Sequence, residues 1–226
     1  MGRSIALTLA REGAKVVVNY NTSQASAQAI VDYIRQAGGE AIPVQADIFS
    51  QDGCASLVDA TVEQHGQVDI CIVGPGGGWH PEPPDKVNPG GALEDLHREV
   101  APLLYLMPLV LPGMIERKWG RLVGIAQHPT RVSPAYAYNM AKAARAQALL
   151  QTRDRAWTGG VTVNVIAPGP VDKIDSLEGA IEQSAHGAAW HDRQNVSPQD
   201  IAEGVAFLCS EAGRFVSGCT LPYLFH

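Results

Sequence analysis

The chain has 226 residues, 46% of them hydrophobic and 18% charged, and a formal net charge of −6, which is enough for one well-buried core and predicts a single domain over residues 1–226. An acidic balance without a Lys/Arg cluster excludes the electrostatic footprint of a nucleic-acid-binding or anionic-membrane surface. Cys54, Cys71, Cys209 and Cys219 are widely spaced with no CxxC pair, which argues against a disulfide framework or a metal centre. No signal-like segment opens the chain, and the longest apolar stretch, VAPLLYLMPLVLPGM, reads as too short and too Pro-interrupted to cross a bilayer, so a cytoplasmic protein without a membrane partner is expected.

The elements alternate along the chain. Ile5, Ala6, Leu9 and Ala10 share one face of a helix over residues 3–12, and Gly13 supplies the residue at which a helix ends most easily. The VVV run within residues 15–19 fits a strand buried on both faces. A helix over residues 23–37, capped by Thr22 or Ser23 and ended by Gly38 and Gly39, leads to the strand AIPVQAD, and a helix over residues 51–65 leads to VDICIV. After the Gly/Pro-rich stretch GPGGGWHPEPPDKVNPGG come a long helix ending near residue 118, the strand RLVGIA, a helix through Tyr138 and Lys142, the strand VTVNVIAPG and a helix over residues 198–211. Fully apolar strands alternating with helices predict an α/β fold, a doubly wound parallel sheet. The Gly/Pro-rich stretch then lies at the carboxyl end of a strand, where such sheets bind ligands.

The segment YNMAK places Tyr138 and Lys142 four residues apart, neighbours on one helical face. A cation beside a phenol favours the phenolate and lowers a pKa that starts near ~10, which suits proton transfer to or from a carbonyl or alcohol oxygen. The same spacing also arises by chance in ordinary helices. His80, after Trp79, and His128, after Gln127, are either added acid/base groups or exposed loop histidines.

These residues sit among segments that resemble the short-chain dehydrogenase/reductase family over nearly the whole chain: REGAKVVVNY, GGEAIPVQADI, HGQVDI, LVLPGMIERKWGRLVGI, YNMAKAA, GVTVNVIAPGPV and SPQDIAEGVAFLCSEAGRFVSGCTL. The resemblance implies a Rossmann-like sheet, with Tyr138 as the catalytic acid/base and Lys142 as the residue that holds the nicotinamide ribose and tunes the tyrosine. Asp47 matches the acid that contacts the adenine, and Pro168 and Gly169 match the turn lining the nicotinamide pocket. Asn19 and Tyr20 stand where an Asp would favour NAD, so the cofactor implied is NADP. His186, Trp190 and His191 fall in the segment that forms a substrate lid in relatives.

The departures are equally specific. Of the phosphate-binding turn TGxxxGIG, whose backbone N–H groups and following helix N-terminus hold a pyrophosphate, only Met1 and Gly2 match. Val73, Gly74, Pro75 and Gly76 replace the NNAG motif, so Gly74 is the residue left to border the dinucleotide. The family serine falls at Ala126 or Gln127, which makes Gln127 a substitute hydrogen-bond donor; Ser133 is too near Tyr138 in sequence for that role. The family's active-site Asn aligns with Arg98 or Glu99, and its Thr after the PGPV turn is Lys173. Losing one oxyanion donor costs roughly 10²–10³ in rate. The main expectation is therefore an enzyme acting on a small carbonyl or alcohol substrate through Tyr138 and Lys142 by non-redox, lyase- or isomerase-type chemistry. The alternative is an NADP(H)-dependent ketone reductase or alcohol dehydrogenase whose dinucleotide is held by Lys142, Asp47 and Gly2, and a further alternative is a non-catalytic binding or oligomerisation protein.

By the same resemblance a homodimer or homotetramer forms through the two long helices, with Leu103, Leu104, Leu106, Leu149 and Leu150 available. The chain opens directly on its first helix, so the family's usual first strand is expected to be lacking. A central strand left out strands two rows of backbone groups, so the sheet is expected to close up, by pairing of the VVV strand with VDICIV or by a strand from another chain.

Overall fold

The computed structural model describes residues 1–128, 135–189, 191 and 193–224; Ser133 and Trp190 lie outside them. In chain order the elements are α1 (Gly2–Arg11), β1 (Val16–Tyr20), α2 (Gln24–Gln36), β2 (Ala41–Gln45), α3 (Gln51–His65), β3 (Ile70–Val73), a 3-10 turn (Pro84–Lys86), α4 (Pro89–Glu116), β4 (Gly120–Ile125), α5 (Tyr136–Leu150), α6 (Arg153–Trp157), β5 (Val161–Pro168), α7 (Leu177–His186), α8 (Pro198–Cys209) and β6 (Thr220–Tyr223). Every strand pairing is parallel. Side chains alternate in β3, β4 and β5, as the pleat requires. Ile70, Ile72, Val123, Ile125 and Ile166 face a cluster built with α1, α2, α7 and α8. Cys71, Val73, Leu122, Val163 and Val165 face a second cluster built with α3, α4 and α5. Helices therefore cover both faces, as in a Rossmann-like doubly wound sheet.

Several boundaries have identifiable causes. Gly13 takes φ +89° just after α1, a conformation that glycine reaches without a Cβ clash. Ser50, Ser176 and Ser197 cap α3, α7 and α8 with side-chain bonds to backbone N–H groups, and at α8 Asp200 completes a capping box.

The sheet comes in two pieces. β1 pairs with β2, β3 to β6 form a four-stranded sheet in that order, and no ladder joins β1 to β3. This corrects the expected direct pairing of the VVV strand with VDICIV. What spans the gap is side-chain packing. Val16 and Val18 of β1 share one apolar cluster with Ile70 and Ile72 of β3, and Ile5 and Leu9 of α1 and Leu177, Ala180 and Ile181 of α7 belong to it as well. Apolar contact draws the two edges into one core without bringing their backbones into hydrogen-bond register.

The long apolar stretch also differs from expectation. It forms α4, a helix of 28 residues, long and apolar enough by length and composition to cross a membrane, with Pro102, Pro108 and Pro112 inside it. In the fold α4 packs on α3, α5, β3 and β4. Leu103, Leu106, Leu149 and Leu150 are buried in the chain's own core, whereas Leu104 is exposed, as are Leu93 and Leu109. Of the five leucines expected at an oligomer interface, only Leu104 presents a free surface.

Candidate active site

The carboxyl ends of β3, β4 and β5, the loop after β3, and the facing helices α4 and α5 bring the site together. Tyr138, Lys142 and Arg145 follow one another at i, i+4 and i+7 on α5, and Asp95 and Glu99 stand four apart on α4. Glu99 is 1% exposed. Its Oε1 lies 2.9 Å from Lys142 Nζ and accepts the Gly77 N–H at 2.9 Å, while its Oε2 lies 2.8 Å from Arg145 Nη2. Arg145, also fully buried, donates from Nε to the Glu99 carbonyl and from Nη1 to the carbonyls of Gly74 and Ile125, at 2.9–3.0 Å, and from Nη2 to that of Pro75. A buried cation with this many acceptors is well compensated, as a charge removed from water must be.

The loop after β3 closes over these groups. A Cβ on Gly76 would lie 2.0 Å from Glu99 Oε1, and one on Gly77 2.6 Å from Asp95 Oδ1, so only glycine lets the backbone pass this close. Trp79 meets Tyr138 edge to face with ring centroids 5.4 Å apart, a favourable aromatic geometry. His80 Nε2 lies 3.0 Å from Asp95 Oδ2, and the Tyr136 N–H donates to the Glu82 carbonyl. His80 is thus an exposed loop histidine, one of the two readings open for it, oriented on a buried carboxylate at the rim of the site.

Electrostatics correct one expectation. The net push on the Tyr138 phenol is upward, not downward. Burial, followed by the negative charge of Glu99, pushes the phenol above its ordinary value, and Asp95 adds to the effect while Arg145 opposes it. The Lys142 ammonium lies 5.4 Å from the Tyr138 ring centroid, over the ring, and its hydrogen bond goes to Glu99. Its own pKa is pushed down, by burial first and by Arg145 second, against the pull of Glu99. Tyr138 is accordingly a phenol through the neutral range.

The other expected residues are placed as follows. Gln127 and His128 follow β4; the His128 N–H donates to the Pro168 carbonyl at 2.9 Å, and its Nδ1 is buried without a hydrogen-bond partner among the described residues. Pro168 ends β5, and the Gly169 N–H is held by the Tyr223 carbonyl of β6. Asn19 is the penultimate residue of β1, with its amide on the Ala46 carbonyl at 3.0 Å, and Asp47 follows β2, its Oδ1 accepting the Phe49 N–H. At Gly2 nothing lies within 4 Å of where a Cβ would be, and α1 has no side-chain cap. Gly74 turns its carbonyl to Arg145. His186 ends α7 with Nδ1 near the Glu182 carbonyl, and α7 packs along α1, where Arg11 donates to the Ser184 carbonyl. Among the described residues there is no group of three or more His, Cys, Asp or Glu able to hold a metal ion.

A dinucleotide fits part of this arrangement. The uncapped N-terminus of α1 at Gly2 is the donor array that a pyrophosphate requires. Asn19 and Asp47 lie toward the carboxyl ends of β1 and β2, and Gly169 follows the carboxyl end of β5. Lys142 departs from the pattern, because Glu99 already holds its ammonium.

Comparison with known proteins agrees with this geometry. Parallel strands, helices on both faces and a Tyr/Lys pair at the carboxyl edge define an α/β oxidoreductase fold. The family model for Enoyl-(Acyl carrier protein) reductase matches residues 1–223, and the chain belongs to the short-chain dehydrogenase/reductase family. It is 32% identical to the 7alpha-hydroxysteroid dehydrogenase of Escherichia coli strain K12, over 96% of this chain and 86% of that one. It is 30% identical to the short-chain dehydrogenase/reductase FrzI of a Cladobotryum species, over 96% and 88%. The crystal structure of hydroxysteroid dehydrogenase from Escherichia coli superposes with a TM-score of 0.80 at 29% identity, over 99% of this chain and 90% of that one. The relatives support an oxidoreductase, and lend no support to the expected non-redox chemistry.

Proposed function

We propose that this protein is a nicotinamide-dependent oxidoreductase that interconverts a ketone and a secondary alcohol on a small apolar molecule, with Tyr138 giving a proton to the carbonyl oxygen in the reducing direction. The observation that carries this reading is the placement of Tyr138, packed edge to face against Trp79 on the helix that carries the buried Lys142 and Arg145, opposite the buried Asp95 and Glu99. A general acid must hold its proton at working pH and part with it only as negative charge develops on the acceptor. When bound, the nicotinamide supplies or accepts the hydride. The Gly2 end of α1 would hold the pyrophosphate, and Asn19, in place of an acid, leaves room for the extra phosphate of NADP. Trp79 presents an apolar wall beside the phenol, which matches a ring system such as the steroids named in two of the relatives. Gln127 would serve as the donor that orients the carbonyl. The exposed Leu104 face of α4 is the surface through which a homodimer would form.

The test is oxidation of NADPH, and separately of NADH, followed by absorbance over a panel of steroid and simpler ketones. Consumption that depends on the ketone and disappears in Tyr138→Phe supports the reading. Absence of any dinucleotide binding by calorimetry would sink it.

A further inference from the structure

Glu99 ties three parts of the molecule together. Its carboxylate reaches Lys142 and Arg145 on α5 and the Gly77 N–H on the loop after β3, all within 2.9 Å, and Gly76 passes so close that no side chain fits between. Lys142 has two potential partners, this carboxylate and Tyr138 one turn earlier on the same helix. The ammonium sits at hydrogen-bond distance from the carboxylate and over the face of the phenol ring, 5.4 Å from its centroid. A charge-assisted hydrogen bond to a buried carboxylate outweighs a contact with a ring face, so the cation is committed to Glu99.

We propose that Glu99 is a positioning residue that reserves the Lys142 ammonium for itself and thereby keeps Tyr138 a proton donor. This deepens the reading given above and rests on it for the carbonyl substrate. The charged groups around Tyr138 are Asp95 and Glu99 on α4, Lys142 and Arg145 on α5, and His80 on the loop, paired with Asp95. Among these, Glu99 both opposes a negative charge on the phenol oxygen and withholds the cation that would stabilise one. The upward push on Tyr138 from burial and from Glu99 agrees with that arrangement.

The experiment follows the ionisation of Tyr138 directly, by phenolate absorbance in the near ultraviolet, as the difference between each protein and its Tyr138→Phe counterpart. Glu99→Gln keeps the acceptor for Gly77 and removes the charge, and is expected to lower the Tyr138 midpoint by about one pH unit or more, a tenfold change in its ionisation constant. Adding Lys142→Met to Glu99→Gln is expected to bring the midpoint back up, since the released cation is what lowers it. Should Glu99→Gln fold poorly, Glu99→Asn, equally neutral and smaller, leaves Arg145 in place and carries the same downward expectation. A midpoint that stays put in either variant, or one that stays low after Lys142→Met, overturns the proposal. The titration needs neither cofactor nor turnover. A failed reduction assay therefore counts against the proposed activity, and an unmoved midpoint counts against Glu99.

Discussion

The two sheets differ in how they are held. β4 and β5 are buried along their whole length and flanked by strands on both sides, whereas β1 and β2 are mostly half-buried and hydrogen-bonded only to each other. An isolated pair of strands is marginal in water, so β1 and β2 depend on the helices packed on them. The candidate catalytic constellation stands beside the continuous sheet, and the residues expected to bind the adenosine end, Asn19 and Asp47, stand on the small one. Chemistry at Tyr138 needs fixed geometry, and the region that supplies it is also the region with the complete ladder.

The largest effect is expected at Tyr138. Tyr138→Phe removes the proton donor while keeping the ring against Trp79, and should lower kcat for carbonyl reduction by about 10²–10⁴-fold with little change in folding stability, measured by steady-state kinetics and urea unfolding. The pH dependence follows from the same residue. Its pKa is raised, reduction requires the protonated phenol, and the rate should therefore show no Tyr138-dependent fall until the pH exceeds the ordinary tyrosine value of about 10. An earlier fall that vanishes in Tyr138→Phe would mean that Lys142 does activate the phenol.

Next comes Arg145→Met, which cuts the continuous sheet's side of the comparison at its charged centre. It leaves the buried Glu99 with one cation instead of two and frees the carbonyls of Gly74, Pro75 and Ile125 from their donor. Breaking a buried pair by removing one partner costs about 3–5 kcal/mol, read as a lower urea midpoint. A loss under ~1 kcal/mol would show the cluster to be solvated.

Much of the fold was legible because its signals are local. The apolar runs in ICIV and VTVNVIAP marked strands of a sheet covered on both faces, and YNMAK marked the helix that carries Tyr138 and Lys142. The missed elements are those whose signal is weak or borrowed. β6 is four residues with Pro222 inside it, and α7 lies in a stretch for which no helix was expected, only its last residue, His186, falling in the segment read as a lid by resemblance. The missed part of the site is the non-local one: Glu99 and Arg145 are 46 residues apart, and neither is informative alone. A signal was present all the same. Two cations at i and i+3 on an alanine-rich helix, Lys142 and Arg145, require an anion when that helix is buried, and Asp95 and Glu99 offer an i, i+4 pair on the neighbouring helix.

One residue type occurs in both sheets and allows a smaller, cleaner test. Val163 in β5 is fully buried and Val18 in β1 is half-buried. Val→Ala at the first should cost about 2 kcal/mol, the removed methyl groups plus the cavity left behind, and at the second less than about 1 kcal/mol, because the site is partly wet and can relax. Equal costs in urea unfolding would mean that the small sheet is as tightly packed as the large one.

The smallest effect concerns what does not hold the small sheet. Lys15 and Glu40 precede β1 and β2 and form an ion pair at 3.0 Å, with both side chains more than half exposed, and the pair looks like a clasp across the two strands. In high dielectric such a clasp gains little Coulomb energy and immobilises two long side chains, so exposed pairs are worth about 0–1 kcal/mol. The strands have better reasons to stay together: the ladder from Val16–Ala41 to Tyr20–Gln45, and Val16, Ile30, Ile34 and Ala41 in the shared apolar cluster. Lys15→Ala should therefore shift stability by less than about 0.5 kcal/mol, and raising salt toward ~1 M, where the screening length is about 3 Å, should leave amide exchange in β1 and β2 unchanged. Exchange that accelerates with salt would move the clasp from ornament to cause, and the small sheet would then be held by charge where the large one is held by its core.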